Sequence, residues 1–258
     1  MAELIVPDWP RLPHGIGALA TTRRGGLSVG PYDDGMGGGG LNLGRHVGDD
    51  EATVLANRAL LAARLPGAPA WISQVHGIDV VDAATVGEGQ PVRIADASFS
   101  TRPGVVCAVM TADCLPVLFA DVHGAVVGAA HAGWRGLADG VLQATVTAMR
   151  AAGAGDISAW LGPAIGKSRF EVGADVMERF MADAVEADAV AAAFIAYPGR
   201  PGKYLADMNA LARQALGRVG VDDVAGGEYC TASDASRFYS YRRDGITGRL
   251  ASLIWIKP

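Results

Sequence analysis

The order of apolar and polar residues changes its period several times along the chain, and each change predicts an element. Apolar residues recur at helical spacing in four segments. Asp49 or Asp50 precedes the first segment, and Asp207 precedes the last segment. An aspartate at such a position can cap a helix, and Gly153 is placed to end the second segment. The third segment is long enough to form two helices. The predicted helices cover residues 51–65, 137–153, 174–196 and 208–220.

Between these segments lie short apolar runs rich in β-branched residues, which are typical of buried strands. Strands and helices are mixed rather than strictly alternating. The pattern therefore favours an α/β layered sandwich, with a mixed sheet and surrounding helices, over a regular doubly wound sheet. No linker, repeat or charge block divides the sequence, so we predict a single domain over residues 1–258. The predicted strands cover residues 70–76, 104–112, 125–131, 157–162 and 250–256.

The segment from Gly30 to Gly44, GPYDDGMGGGGLNLG, follows neither the helical nor the strand period. Glycine-rich loops can bind phosphate through backbone amides. This one lacks the Lys-Ser/Thr ending of a P-loop, and no strong strand precedes it. We therefore predict a flexible surface loop.

Composition is that of a well-packed globular protein, and it limits the choice of partners. Of the 258 residues, 50% are hydrophobic and 19% charged, and the formal net charge is −5. No stretch is basic enough to predict binding to nucleic acid or to an anionic membrane, and none resembles a membrane helix. The N-terminal residues lack the pattern of a signal peptide, and three cysteines are too few for a disulfide framework. We expect a cytoplasmic protein with free thiols, either a monomer or a homodimer.

Three predicted strands end in a residue that can bind a metal: His76, Cys114 and His131. Ligand sites in α/β proteins form where strands end and loops begin. Two imidazoles and a thiolate suit zinc, and three protein ligands leave one position free for water or substrate. Because the spacing matches no local zinc motif, the pattern alone does not decide between a metal site and three separate residues. The other histidines are predicted in turns or at the surface: His14, His46 and His123.

Two charged residues near this trio are further candidates. Asp113 adjoins the thiol, where it can orient a ligand or substrate, act as an acid–base group, or simply cap a turn. Arg135 stands where a loop turns into a helix, and there it can bind an anion or merely cover Trp134. Cys107 and Cys230 are predicted to have packing roles.

Several longer segments resemble one protein family. These are TTRRGGLSVGPY, LNLGRHVGDD, SQVHG, TADCLPVLFAD, AAHAGWRG, GPAIGKSRFEVG and FYSYRRDGITGR, which occur in this order from Thr21 towards the C-terminus. They resemble the YfiH-like family, once labelled the laccase-domain or multicopper polyphenol oxidase family and now described as zinc-dependent purine nucleoside phosphorylases. Because many long motifs occur in the same order, the resemblance is specific.

The resemblance implies an α/β domain in which His76, Cys114 and His131 hold Zn²⁺. It further implies phosphorolysis of adenosine, inosine, guanosine and 5′-methylthioadenosine by inorganic phosphate, with release of the base and a ribose 1-phosphate. Deamination of adenosine to inosine is the second implied activity. The expected partners are therefore purine nucleosides and inorganic phosphate.

Candidate roles for other residues follow from the chemistry of these substrates. Arginine is the usual clamp for phosphate, because its guanidinium donates several charge-assisted hydrogen bonds. We expect Asp113 and Arg135 to be catalytic, and Asn42 and Gln74 to bind ribose or base edges. The other arginines expected to bind substrate are Arg23, Arg242 and Arg243.

The sequence departs from the family pattern at residues 33–40, DDGMGGGG, which lengthen the connection between the GPY and NLG motifs. We expect these residues to form a loop at the rim of the pocket. The metal residues are unaffected, but any contact that the family makes from this loop does not transfer to this chain.

Three other functions remain open at the level of sequence. Two histidines, a cysteine and a weak axial methionine are also the ligands of blue copper, and Met110 is close in sequence, so copper is the alternative ion and a laccase-like polyphenol oxidase the alternative enzyme. Some relatives are associated with editing of peptidoglycan precursors, which suggests a hydrolase. Zinc that only stabilises the fold is the third alternative.

Overall fold

The computed structural model of the chain describes residues 2–87 and 89–258. Within them the strands in chain order are β1 (Leu4–Ile5), β2 (Ile16–Thr21), β3 (Arg24–Ser28), β4 (Pro69–Ala70), β5 (Val80–Asp82), β6 (Ala97–Ser100), β7 (Val106–Thr111), β8 (Leu115–Asp121), β9 (Val127–Ala132), β10 (Ile157–Leu161), β11 (Glu171–Gly173), β12 (Phe194–Ala196), β13 (Lys203–Ala206), β14 (Val224–Gly226) and β15 (Leu250–Ile256). The helices are α1 (Glu51–Ala62), α2 (Trp134–Asp139), α3 (Val141–Ala151), α4 (Ala174–Ala182), α5 (Ala187–Ala192), α6 (Met208–Gly217) and α7 (Tyr241–Asp244). Short 3₁₀ turns lie at Gly30–Tyr32 and Ala83–Thr85.

Two mixed sheets and a small antiparallel sheet form the framework. The five-stranded sheet has the order β1-β2-β15-β7-β4, and the six-stranded sheet has the order β14-β10-β8-β9-β6-β5. The third sheet has the order β11-β13-β12. The α/β architecture expected from the sequence is therefore confirmed. The C-terminal strand β15 lies between β2 and β7, so the end of the chain is paired on both sides.

The two large sheets pack face to face, and helices cover the outer face of the six-stranded sheet. On β7, Cys107 and Val109 face the six-stranded sheet, whereas Val106 and Ala108 face the opposite way, towards Leu61 of α1. Residues of β8 alternate in the same manner between the inter-sheet core and the layer of α3 and α6. Because both faces of these strands are buried, their sequences are almost continuously apolar.

Most predicted helices form, with caps that explain their boundaries. The side chain of Asp50 accepts a hydrogen bond from Thr53 N at 2.8 Å, and that of Asp207 accepts one from Ala210 N at 3.0 Å. The predicted helix over 137–153 is instead two helices, because Gly140 adopts a left-handed conformation with φ of 100° between α2 and α3. The predicted pair of helices over 174–196 ends early, and its last three residues form β12.

The predicted strand over 70–76 is the main error among the strands. Only its first residue belongs to β4, and the chain then leaves the sheet, apart from an isolated bridge at Ser73. The side-chain amide of Gln74 bonds to both backbone groups of Met110, at 2.8 Å each, and so replaces the backbone pairing of a strand. This irregular segment carries His76 to its place with a φ of 62°.

The loop over residues 33–40 packs on the side of the molecule formed by β3 and residues 235–239. Asp34 Oδ1 accepts hydrogen bonds from Met36 N and Gly38 N, both at 2.8 Å. A side chain at Gly40 would collide with Tyr32 O and the Tyr239 hydroxyl, so this position requires glycine. In the described parts of the chain, no helix has the length and apolar character needed to cross a membrane.

Candidate metal centre and its cavity

Three segments that are far apart in sequence bring His76, Cys114 and His131 together. Cys114 occupies the short turn between β7 and β8, and His131 lies near the end of β9, where it is paired with Pro116. The possible ligand atoms of the three residues all lie within 4.8 Å of one another. Cys114 Sγ is 3.7 Å from His76 Nε2, and the two imidazole rings meet edge to face at 4.8 Å between centroids.

The donor set and its surroundings fit a metal ion such as zinc. Ligands bound at about 2.0–2.3 Å in a tetrahedron lie some 3.5 Å apart, close to the separation between Cys114 Sγ and His76 Nε2. Gly133, just before α2, closes one side: a Cβ there would lie 2.6 Å from His76 Cδ2 and 3.3 Å from Cys114 Sγ. Only glycine leaves room for this arrangement of the ligands.

A buried carboxylate, Asp96, holds two of the three residues in place. Its Oδ1 lies 2.7 Å from His131 Nδ1 and accepts a hydrogen bond from His76 N at 2.9 Å. Its Oδ2 accepts hydrogen bonds from Val75 N at 3.0 Å and Gly77 N at 2.7 Å. With Nδ1 donating to Asp96, His131 presents Nε2 to the centre, which is the arrangement found for metal-bound histidines.

The ionisable groups of the centre stabilise one another's charges. Burial opposes ionisation of Cys114, but hydrogen bonds with His131 and His76 lower the pKa of its thiol to about 6. Burial likewise opposes protonation of His131, yet Asp96 and Cys114 raise its pKa to about 9. Burial would raise the pKa of Asp96, but His131 and the amides of residues 75 and 77 lower it. The thiol is thus held as the thiolate that a metal requires.

The three residues line a cavity of about 640 Å³. The other polar residues that line it are Ser73, Gln74, Thr111, Tyr241, Arg249 and the exposed His46. Its volume is within the range of about 300–1,000 Å³ that is usual for sites of small molecules.

Of the residues expected to bind substrate or to be catalytic, Gln74 alone is among those that line this cavity. Both ends of its amide are already hydrogen-bonded to the backbone of Met110. Each end keeps one further position, the second Nε2 hydrogen and the second Oε1 lone pair, that can meet a bound molecule.

Asp113, whose catalytic role stays a prediction, is buried and connects distant parts of the chain. Its Oδ1 accepts a hydrogen bond from the Thr231 hydroxyl and its Oδ2 accepts one from Arg242 N, both at 2.6 Å. With both oxygens engaged, the carboxylate caps the first turn of α7, which carries Tyr241 to the cavity. Its φ of 95° lies in the left-handed region, which is a strained conformation for a residue other than glycine.

The arginines expected to bind phosphate lie outside the walls of this cavity. Arg135 is exposed and stacks on Trp134 at 4.4 Å from the ring centre, which is the alternative that the sequence left open. Arg242 Nη1 donates to Glu171 O, and Arg243 donates to Thr231 O and to the carboxylate of Asp244. These guanidiniums stabilise loops and are not directed at the metal centre.

Arg23 and Asn42 also have structural partners. Arg23 is buried and donates to Asp33 O at 2.9 Å and Ala235 O at 3.1 Å. Asn42 is fully buried; its Oδ1 accepts hydrogen bonds from Gly44 N and Arg249 N at 3.0 and 2.9 Å. Asn42 thus contributes to the cavity indirectly, by holding Arg249. None of residues 33–40 is among the residues that line the cavity, and the place of that loop at the rim stays a prediction.

Sequence reasoning missed Asp96, His46, Tyr241 and Arg249. Three of them lie inside motifs that carry the family resemblance: LNLGRHVGDD contains His46, and FYSYRRDGITGR contains Tyr241 and Arg249. The motifs marked the right segments, but nothing local distinguished Arg249 from its neighbouring arginines. Asp96 lies outside every motif and could be found only from its contacts.

Comparisons with known proteins agree over the whole chain. A protein-family profile described as multi-copper polyphenol oxidoreductase laccase matches residues 17–257. Purine nucleoside phosphorylase YfiH of Shigella flexneri is 53% identical over 258 residues, covering 99% of this chain and 100% of the relative. A Pseudomonas aeruginosa protein, also named purine nucleoside phosphorylase, is 50% identical over 259 residues and is covered completely, as is this chain. The crystal structure of a Neisseria meningitidis protein matches with a TM-score of 0.89 at 46% identity, over 99% of each chain.

Proposed function

The chain belongs to the multi-copper polyphenol oxidoreductase laccase family, the YfiH-like proteins, and on that premise we propose that it is a metal-dependent purine nucleoside phosphorylase. The observation that carries the proposal is the convergence of His76, Cys114 and His131 in the wall of a cavity suited to a small ligand. Relatives at 50% and 53% identity bear the name of this activity. We take the whole chain as one catalytic domain.

The proposed substrates are adenosine, inosine, guanosine and 5′-methylthioadenosine together with inorganic phosphate, and adenosine deamination is the proposed second activity. His76, Cys114 and His131 hold the metal, and Asp96 fixes the tautomer of His131 and the backbone that carries His76. When bound, zinc supplies a Lewis acid that stabilises negative charge on a substrate or activates water. The cavity walls orient the nucleoside and limit access of bulk water.

Zinc is the proposed ion, and the contacts of Met110 support this choice over copper. A blue-copper site needs a weak axial ligand such as a methionine sulfur. Met110 lines the cavity, but its Sδ lies 3.7 Å from Arg58 Nη2, so the sulfur is turned towards a cation. Metal analysis with a visible absorption spectrum tests the choice: we expect zinc and no intense blue thiolate band, and such a band would contradict the proposal.

The activity is tested by incubating the purified, metal-loaded protein with adenosine, with and without phosphate, and separating the products by chromatography. We expect adenine and ribose 1-phosphate only when phosphate is present, and inosine in both incubations. Cys114→Ser should abolish both reactions, whereas Cys230→Ser, a thiol outside the cavity, should leave them unchanged. Fully metal-loaded protein that releases no base from any of the four nucleosides would contradict the proposal. A zinc that only stabilises the fold predicts that outcome.

A further inference from the structure

One wall of the cavity carries positive charge that forms no ion pair with a carboxylate among the residues that the structure describes. Arg249 and His46 line the cavity, and Arg58 lies behind them, with its guanidinium over the Trp71 ring at 4.3 Å. Within residues 2–87 and 89–258, neither Arg58 nor Arg249 has a carboxylate oxygen within 4.0 Å. Partly buried guanidiniums are normally paired, so this wall has the composition of an anion site.

The electrostatic effects within this wall agree with its composition. Burial, followed by the charges of Arg249 and Arg58, lowers the pKa of His46. Burial and the charge of Arg45 lower the pKa of Arg58 to about 10, and burial lowers that of Arg249. The negative charge of the Cys114 thiolate raises the pKa of Arg249. A metal cation bound to that thiolate neutralises its charge, so the metal-loaded cavity attracts anions more strongly.

Arg249 is held firmly, and part of its guanidinium remains available. Its backbone N donates to Asn42 Oδ1 at 2.9 Å, and its O accepts a hydrogen bond from Leu43 N at 3.2 Å. Its side chain passes over Gly44, where a Cβ would lie 2.6 Å from Arg249 Cγ. Nη1 donates to two backbone carbonyls of residues 247 and 248, both at 3.1 Å. Among the described residues, Nε and Nη2 have no hydrogen-bond acceptor, so these two nitrogens of the guanidinium can donate to an oxyanion.

We propose that Arg249, with His46 at the mouth of the cavity, forms the subsite for inorganic phosphate. This inference rests on the proposed function and names the residues that hold its second substrate. Arg249 supplies a fixed, charge-assisted fork for two phosphate oxygens, and the imidazole of His46 supplies a further hydrogen bond. Arg58 adds positive potential from behind the wall without touching the ligand.

The subsite places phosphate for attack on the nucleoside. A phosphate oxygen forms a bond to C1′ of the ribose while the bond from C1′ to the purine nitrogen breaks. The electron pair of the broken bond leaves with the base, and the proton brought by the phosphate ends on the base. The products are the neutral purine and a ribose 1-phosphate, so no oxidant or further reactant is needed. The guanidinium stays ionised throughout and orients the attacking anion.

The test uses the zinc-loaded, full-length protein and the variants Arg249→Gln, Arg249→Lys and His46→Asn, all with verified metal content. Arg64→Gln, an exposed arginine outside the cavity, is the matched control. Loss of a charge-assisted fork should raise the KM for phosphate about 10- to 100-fold in Arg249→Gln and less in Arg249→Lys, with the KM for nucleoside changed by less than about twofold. His46→Asn should give a smaller rise, and the control none.

Calorimetric titration of inorganic phosphate into the same proteins without nucleoside separates this inference from the proposed function. Phosphate binding that is weakened in Arg249→Gln supports the subsite even if the wild-type protein releases no base. Phosphate affinity that is equal in wild type, Arg249→Gln and His46→Asn overturns it. That result together with loss of affinity on metal removal would place phosphate on the metal instead. If Arg249→Gln fails to fold, Arg249→Lys and His46→Asn decide in the same way.

Discussion

Asp96 is a single buried residue on which two of the three segments of the candidate metal centre depend. Four hydrogen bonds, from His131 and from the amides of residues 75–77, end on its two oxygens. Both terminal atoms of the side chain at position 96 must accept hydrogen bonds, because every partner is a donor. The amide oxygen of an asparagine can accept hydrogen bonds from one set of these donors, but its NH2 group would then face the other set.

We therefore expect Asp96→Asn to weaken zinc binding about 10- to 100-fold, the usual cost of losing such a partner of a metal-bound histidine. Competition with a chromogenic chelator measures the affinity. Asp121→Asn is the matched control: Asp121 is equally buried and accepts hydrogen bonds from Ala125 N and Gly155 N, but it lies away from the metal. Equal zinc affinities in the two variants would show that Asp96 has only a structural role.

The three cysteines lie in different surroundings, and we expect their reactivities to differ accordingly. Burial raises the pKa of Cys107 to about 12, so this thiol is neutral at any working pH. Burial would also raise the pKa of Cys230, but hydrogen bonds with Ser233 and the amide of Gly166 outweigh burial and lower it. In metal-loaded protein at pH 7.5, iodoacetamide should modify Cys230, leave Cys107 untouched until unfolding, and reach Cys114 only after chelation.

Peptide mass spectrometry measures the extent of modification at each cysteine. The rate at Cys230 should fall at a lower pH than that of free cysteine, since a lowered pKa preserves the thiolate as pH decreases. Rapid modification of Cys107 in the folded protein would contradict its place between the sheets.

At the scale of elements, the short helix α2 bears directly on the metal centre. Gly133 precedes it, and a Cβ at this position would meet the ring of His76 and the sulfur of Cys114, so the helix begins at a residue without a side chain. The φ of Gly133 is −59°, which alanine can adopt. The lack of space for a Cβ, rather than the backbone conformation, therefore requires glycine at this position.

Gly133→Ala should consequently lower zinc affinity and destabilise the fold by about 1–3 kcal/mol, as overpacking does. Gly15→Ala, where a Cβ meets nothing within 4 Å, is the control and should change neither quantity. Zinc titration and urea denaturation provide the two measurements. Unchanged zinc affinity in Gly133→Ala would mean that the His76 ring can move aside without loss.

At the scale of the whole molecule, the interface between the two large sheets holds the ligand-bearing turns in place. Leu118 on β8 is fully buried in this interface, four residues from Cys114. Leu118→Ala should cost about 2–5 kcal/mol of unfolding free energy, through lost burial and the remaining cavity. Urea denaturation measures it, and Leu55→Ala on the exposed face of α1 should stay within about 0.5 kcal/mol.

A loss at Leu118 as small as that at Leu55 would contradict the packing of the two sheets against each other. Zinc affinity of Leu118→Ala measured below the unfolding transition should remain close to that of the wild type. The substitution removes packing but leaves the three ligands and Asp96 in place.

The sequence by itself predicted the α/β class, a helix cap at Asp49 or Asp50, the cap at Asp207, and strands over 104–112 and 250–256, because these depend on residues a few positions apart. In the structure the first cap is Asp50 and the first of these strands covers 106–111. The sequence also marked the candidate metal residues, which follow strands or end them. Only the tertiary structure decided which arginine faces the cavity. The partners that orient Arg249 lie more than 200 residues away at Asn42 and Gly44, and no local pattern reports a contact across that distance. The same holds for residues 71–76, where a side chain of one segment replaces the backbone pairing that local propensity predicts.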